Sequence, residues 1–147
     1  MTHSEKAMAL FREGYNCSQS VLGAFCEEAG MDFNTAMRVA AGLGGGVGRL
    51  REVCGAVSGM AMALSLMHGS YAPSDSVSKA ELYKRVQQCA EQFRSINGTL
   101  ICRELLGTTE SGGEPQARTP QYYQERPCER LVGCAAEILE KYMEENK

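Results

Sequence analysis

The stretch "VCGAVSGMAMALSLM", residues 53–67, decides how this chain is read. It is the most apolar window, yet its 15 positions fall short of the roughly 20 that a membrane span needs, and Ser58 and Ser65 interrupt it. Its apolar positions follow one another too densely for a half-buried strand, and Gly69 ends the run. The spacing predicts a helix over about 52–67, buried in a soluble core. Its first turn carries Cys54, followed at once by small residues, and Gly55 and Gly59 stand as G-x-x-x-G. Such a pair lets a second helix, or a bulky group beside Cys54, come close to the backbone.

Outward from this helix, apolar residues keep helical spacing almost everywhere, and no period-2 strand emerges. Upstream, helices are predicted over about 5–12 and 17–29, the second stopped by Gly30. A further helix opens at Asn34, a good N-cap, and gives way to the glycine-rich "GLGGGVGRL" (42–50). Downstream, a long helix over about 77–96 carries Leu82, Val86, Cys89, Phe93 and Ile96 on one face. "LICRELLG" (100–107) reads as a short helix or turn. Residues 107–127 hold Gly112, Gly113, Pro115, Pro120 and Pro127 among polar residues and are expected to form a mobile loop. A last helix from Pro127 presents Leu131, Ala135, Ile138 and Tyr142 on one face. The expectation is an all-α, single-domain bundle of about five to six helices over 1–147, with a glycine-rich loop.

Composition narrows the function. Of 147 residues, 44% are hydrophobic and 22% charged, enough for a core. The net charge of -3 comes without any Lys or Arg run, which argues against nucleic acid as a partner. The first residues lack the apolar segment of a secretory signal, so the expected location is cytoplasmic, where thiols stay reduced. Seven cysteines in such a chain call for a reason, and an odd number excludes full pairing as disulfides within it.

The seven fall into two groups. Cys26, Cys89 and Cys134 lie on or beside apolar stripes and read as small buried hydrophobes. Cys17, Cys54, Cys102 and Cys128 each stand at a predicted helix start, where unpaired N–H groups and the helix dipole favour thiolate. Arg49, Arg51, Arg103, Arg126 and Arg130 are near them in sequence. Thiolate is the form that ligates metals and attacks disulfides. The four are separated by 37, 48 and 26 positions, unlike the tight C-x-x-C of zinc knuckles and ferredoxins, so any common site must be assembled by the fold.

"CGAVSG" (54–59), with Cys17 in "GYNCSQSVL", "CRELLG" from Cys102 and "CERLVGCAAEIL" from Cys128, resembles the C_GCAxxG_C_C family of redox-active proteins over nearly the whole chain. The resemblance implies redox activity, with Cys17, Cys54, Cys102 and Cys128 on the four family positions and Cys26, Cys89 and Cys134 as extras. Cys134, six positions after Cys128, is the competing choice for the fourth. Related sequence occurs beside the haem-binding part of split-Soret cytochromes, but C-x-x-C-H is absent here, which argues against covalent haem.

Other motifs fail. G-x-G-x-x-G from Gly42 or Gly44 would need glycine at Val47 or Arg49, and Walker A lacks its Gly-Lys. No C-x-x-C, Ser-His-Asp set or carboxylate pair is readable. His3 stands alone, and His68 is expected to face the dipole of its own helix. Met60, Met62 and Met67 are expected in the core. The leading expectation is four converging thiolates, with Gly55 and Gly59 giving room. They would hold an iron–sulfur cluster or cycle between dithiol and disulfide, with an electron donor or acceptor that the sequence does not name. A structural zinc site on the same sulfurs, an inert helical interaction module and a homodimer stay open. The 107–127 loop, tethered to Cys102 and Cys128, is expected to act as a lid.

Overall fold

A computed structural model describes all residues, 1–147. Nine α-helices and one 3-10 turn make up the regular structure: α1 His3–Arg12, α2 Cys17–Ala24, α3 Cys26–Ala29, α4 Phe33–Ala40, the 3-10 turn Ala41–Leu43, α5 Gly55–His68, α6 Ser76–Asn97, α7 Cys102–Leu106, α8 Pro120–Glu125 and α9 Cys128–Glu145. No helix is long and apolar enough to cross a membrane. The all-helical reading holds, and the helix count exceeds the five to six expected.

Each departure has a local cause. The predicted 17–29 helix breaks at Phe25, whose backbone (φ -112°, ψ 13°) leaves the α region so that its ring is fully buried. Asp32, not Asn34, caps α4, because its carboxylate accepts from both the N–H and the hydroxyl of Thr35. Helix α5 begins at Gly55 rather than near 52, since Val53 forms an antiparallel bridge with Ile101. Within the predicted loop, Thr119 caps α8 and Pro120 takes its first position.

Helices α1, α2, α5 and α9 pack together as the centre, with α6 laid across α5 and α9 and α4 against α2. Val21 and Leu22, Met60 and Leu64, and Leu131 and Leu139 fill the space between them, all essentially inaccessible. On α6, Leu82, Cys89 and Phe93 are buried as the stripe predicts, but Ile96 is 63% exposed. The helix ends one residue later, at Asn97, and the chain turns away through Gly98.

The G-x-x-x-G of α5 meets α2. A Cβ at Gly59 would lie 2.7 Å from Val21 Cβ and 3.1 Å from the Ser18 carbonyl oxygen; one at Gly55 would lie 3.1 Å from Cys17 Cβ. The glycines therefore set the α2–α5 distance, which brings the starts of these two helices together. The start of α2 is also stitched to the end of α4. Asn16 Nδ2 donates to Ala41 O, Ser18 Oγ to Ala40 O and Gln19 Nε2 to Met37 O, satisfying carbonyls that a helix end leaves open.

Candidate functional site

The glycine stretch is the unusual part of the backbone. Gly45, Gly46, Val47, Gly48, Arg49 and Arg51 all have φ between 55° and 73°. A left-handed conformation is costly for a side chain, above all for β-branched Val47, and such strain persists only where surrounding bonds impose it. Here Gly48 N–H donates to Gly42 O, Arg51 N–H to Gly45 O and Glu52 N–H to Gly46 O. Gly46 is needed for space as well: its Cβ would lie 2.7 Å from Cys102 Cβ. After the coil, Cys54 N–H donates to Leu100 O and Cys102 N–H to Glu52 O, so one short bridge positions both cysteines.

Cys17, Cys102 and Cys128 are the first residues of α2, α7 and α9, and Cys54 is the N-cap of α5. All four are buried free thiols, and the structure brings them to the wall of one cavity of about 330 Å³. Gly55 lines this cavity too; Gly59 does not, and only packs on Val21 and Ser18. Arg49, Arg51, Arg118 and Arg126 also line it, and no Asp, Glu or His does. Of the arginines singled out in sequence, Arg103 and Arg130 turn elsewhere, to Glu52 and Asn97.

Arg118 was not foreseen. It donates to the carbonyls of Phe11 and Tyr15 and lies over the Phe11 and Tyr122 rings, fixing the 107–119 segment to the turn between α1 and α2. Arg49 makes the second tie, with its Nε donating to Gly112 O while Gly112 N–H donates to Arg49 O. Two loops thereby meet over the thiols, and Gly113, Pro115 and Gln116 form part of the cavity wall.

The thiols differ electrostatically. Cys128 is pulled down to about 7, chiefly by the neighbouring Cys17 thiol, against burial and with help from Arg126, Arg51 and Arg118. Cys17 is pushed up by Cys128 and by its own burial. Burial raises Cys54 to about 12 although the N–H groups of Ala56 and Val57 act the other way. Arg51 Nη1 lies 3.6 Å from Cys102 Sγ.

The other cysteines stand apart. Cys89 and Cys26 are buried among apolar neighbours. Cys134, half-buried, faces a shallow groove with Ser4 and Met8 on the α1 side and receives Asn97 Nδ2. Six residues turn a helix through about 600°, so Cys128 and Cys134 point about 120° apart. His3 is not alone: its ring stacks on Phe25 at 4.2 Å and lies between Glu28 and Glu140. His68 is a poor dipole partner, because burial and Arg85 lower its pKa and favour the neutral ring.

No three His, Cys, Asp or Glu side chains surround a common point as ligands of one metal ion do. The donor set on the cavity wall is nevertheless four thiols with cations around them and no carboxylate or imidazole. No curated protein and no solved structure is detectably similar. The model of the family described as "Putative redox-active protein (C_GCAxxG_C_C)" matches residues 15–142, and the chain belongs to that family.

Proposed function

We propose that the cavity is an electron-transfer centre in which Cys17, Cys54, Cys102 and Cys128 hold an iron–sulfur cluster. The observation that carries this reading is the donor set, four thiols from four helix starts on the wall of one cavity that has no carboxylate or imidazole. Iron–sulfur units take four cysteine thiolates and, when bound, supply one-electron transfer. A single zinc ion suits the site less well, because its ligands crowd about one point at roughly 2.3 Å. An iron–sulfur cluster would instead be held by Cys17, Cys54, Cys102 and Cys128 from four separate helix starts.

The chain's own groups serve such a centre in three ways. Arg51, Arg118 and Arg126 offset thiolate charge that burial would otherwise make costly. The helix starts add the positive ends of their dipoles. The two loops tied by Arg49 and Gly112 limit access of water. Protein purified without oxygen should contain iron and acid-labile sulfide and absorb in the visible; serine in place of any of the four cysteines should lower both, while Cys134→Ser should leave them intact.

One pairing favours a second reading. Cys17 and Cys128 share the cavity wall, and the Cys17 thiol lowers the pKa of Cys128 while its own is raised. A thiolate beside a resolving thiol is the arrangement for dithiol exchange: two thiols give a disulfide, two protons and two electrons to an acceptor. Thiol titration separates the readings. Exchange gives metal-free protein that loses two thiols on oxidation, with Cys17 and Cys128 joined.

A further inference from the structure

The cavity holds more positive charge and more free donors than its thiols require. Arg118 spends both Nη groups on backbone carbonyls, Arg49 spends Nε on Gly112, and Arg126 donates to Gln116. Arg51 is different. It is 5% exposed, its side chain's only hydrogen bond is the long one to Cys102 Sγ, and its Nε has no partner. A buried guanidinium with five donors and so little to bind is exceptional, since buried polar groups are nearly always paired. Beside it, the N–H groups of Gly45 and Gly46, both at positive φ and both on the cavity wall, donate to no group of the protein. Successive N–H groups in such a backbone form a concavity suited to an anion.

The nearest carboxylate to these cations is Glu110, 4.0 Å from Arg49 and 80% exposed, which neutralises little. Four thiolates around a cluster core of opposite charge carry fewer negative charges than the four guanidiniums can balance. A further anion is called for.

We propose that the cavity has a subsite for a small molecule bearing an anionic oxygen group, carboxylate or phosphate, gripped by Arg51 and the Gly45 and Gly46 amides beside the thiols. The assignment names the ligand class of the redox centre and rests on that cavity being the centre. It also gives the strained coil a role: the left-handed turn puts two unpaired amides and one buried arginine on the wall of the same cavity. The cavity's volume of about 330 Å³ is that of a small-ligand site.

The test is calorimetric titration of the full chain, purified without oxygen, with inorganic phosphate and separately with malonate, at ionic strength held constant with chloride. Saturable binding of either anion is expected, and which of the two binds more tightly distinguishes a phosphate from a carboxylate group. Arg51→Gln should weaken it at least tenfold, and Arg94→Gln, on the exposed face of α6, should leave it unchanged. Should Arg51→Gln fail to fold, amide exchange of the wild type decides, with the bound anion slowing the 42–50 segment but not 77–96. Heat that tracks chloride alone, wild-type affinity in folded Arg51→Gln, or equal exchange in 42–50 with and without anion overturns the subsite. Iron and sulfide measured on the same samples, with thiol titration, report the redox reading separately. Loss of anion binding with iron and sulfide retained overturns the subsite and leaves the redox reading standing.

Discussion

Replacing Gly59 by alanine tests whether the contact between α2 and α5 assembles the site. In an unconstrained helix interior the change would stabilise by about 0.8–1 kcal/mol through helix propensity. Here the new methyl would lie 2.7 Å from Val21 Cβ and 3.1 Å from the Ser18 carbonyl oxygen, both fixed parts of a fully buried helix face. Overpacking of this kind costs about 1–3 kcal/mol, so the net effect should be a loss of up to about 2 kcal/mol. At that upper end Tm falls by several degrees for a chain of this size. Gly133→Ala is the matched control. Its methyl also meets an atom at 2.7 Å, but that atom is the Met8 sulfur, in a flexible side chain that can turn aside. Gly133→Ala should be neutral or stabilising. Urea unfolding of both variants, with midpoints and slopes compared, is the assay. Because Gly55 and Cys17 belong to the same contact, Gly59→Ala should also reduce bound iron. Equal midpoints for the two variants would refute the claim that a rigid backbone contact sets the helix spacing.

His3→Ala should cost about 1 kcal/mol through the lost stacking on Phe25 and the two carboxylate contacts. Burial alone would raise Glu28, but the hydrogen bond to His3 Nε2 lowers it, and a second bond, to His3 Nδ1, lowers Glu140. These depressed carboxylates stabilise the fold above their ordinary pKa and lose that contribution as pH falls through the lowered values, so the gap between wild type and variant should shrink below about pH 4. In metal-free, reduced protein, an alkylating reagent at pH 7–8 should label Cys128 before Cys54, as read by mass spectrometry, because Cys17 and the arginines favour the Cys128 thiolate while burial opposes that of Cys54. Cys89→Ala should cost about 1 kcal/mol in urea unfolding and leave metal content unchanged. Arg49→Met removes a tie between the two loops and should speed amide exchange in residues 107–119 without altering 77–96.

Much of this site was legible because each thiol sits where a helix begins, and helix starts leave marks in sequence: Asn16 before Cys17, Pro127 before Cys128, the glycine coil before Cys54. The helical class followed from periodicity for the same local reason. The cap failures are local: Asp32, two residues before Asn34, was a readable rival, as was Thr119 before Pro120. The other failures involve partners distant in the chain. Phe25 breaks its helix to reach a core that other segments complete. His3 finds carboxylates 25 and 137 positions away. Arg118 meets backbone carbonyls more than 100 positions earlier in the chain, a kind of contact that no spacing rule encodes. The left-handed coil was visible as glycines, but Val47, Arg49 and Arg51 share its conformation against their own preference, because the bridge to Ile101 and the bonds to residues 42–46 hold them there.

The most direct test of the central claim is iron and acid-labile sulfide, measured together with the visible spectrum, in protein purified without oxygen. Iron and sulfide are expected in matching amounts in the wild type and in Cys134→Ser, and both should be lost in Cys54→Ser and Cys128→Ser. Wild-type protein without iron or sulfide, and unable to take them up on reconstitution, would contradict it.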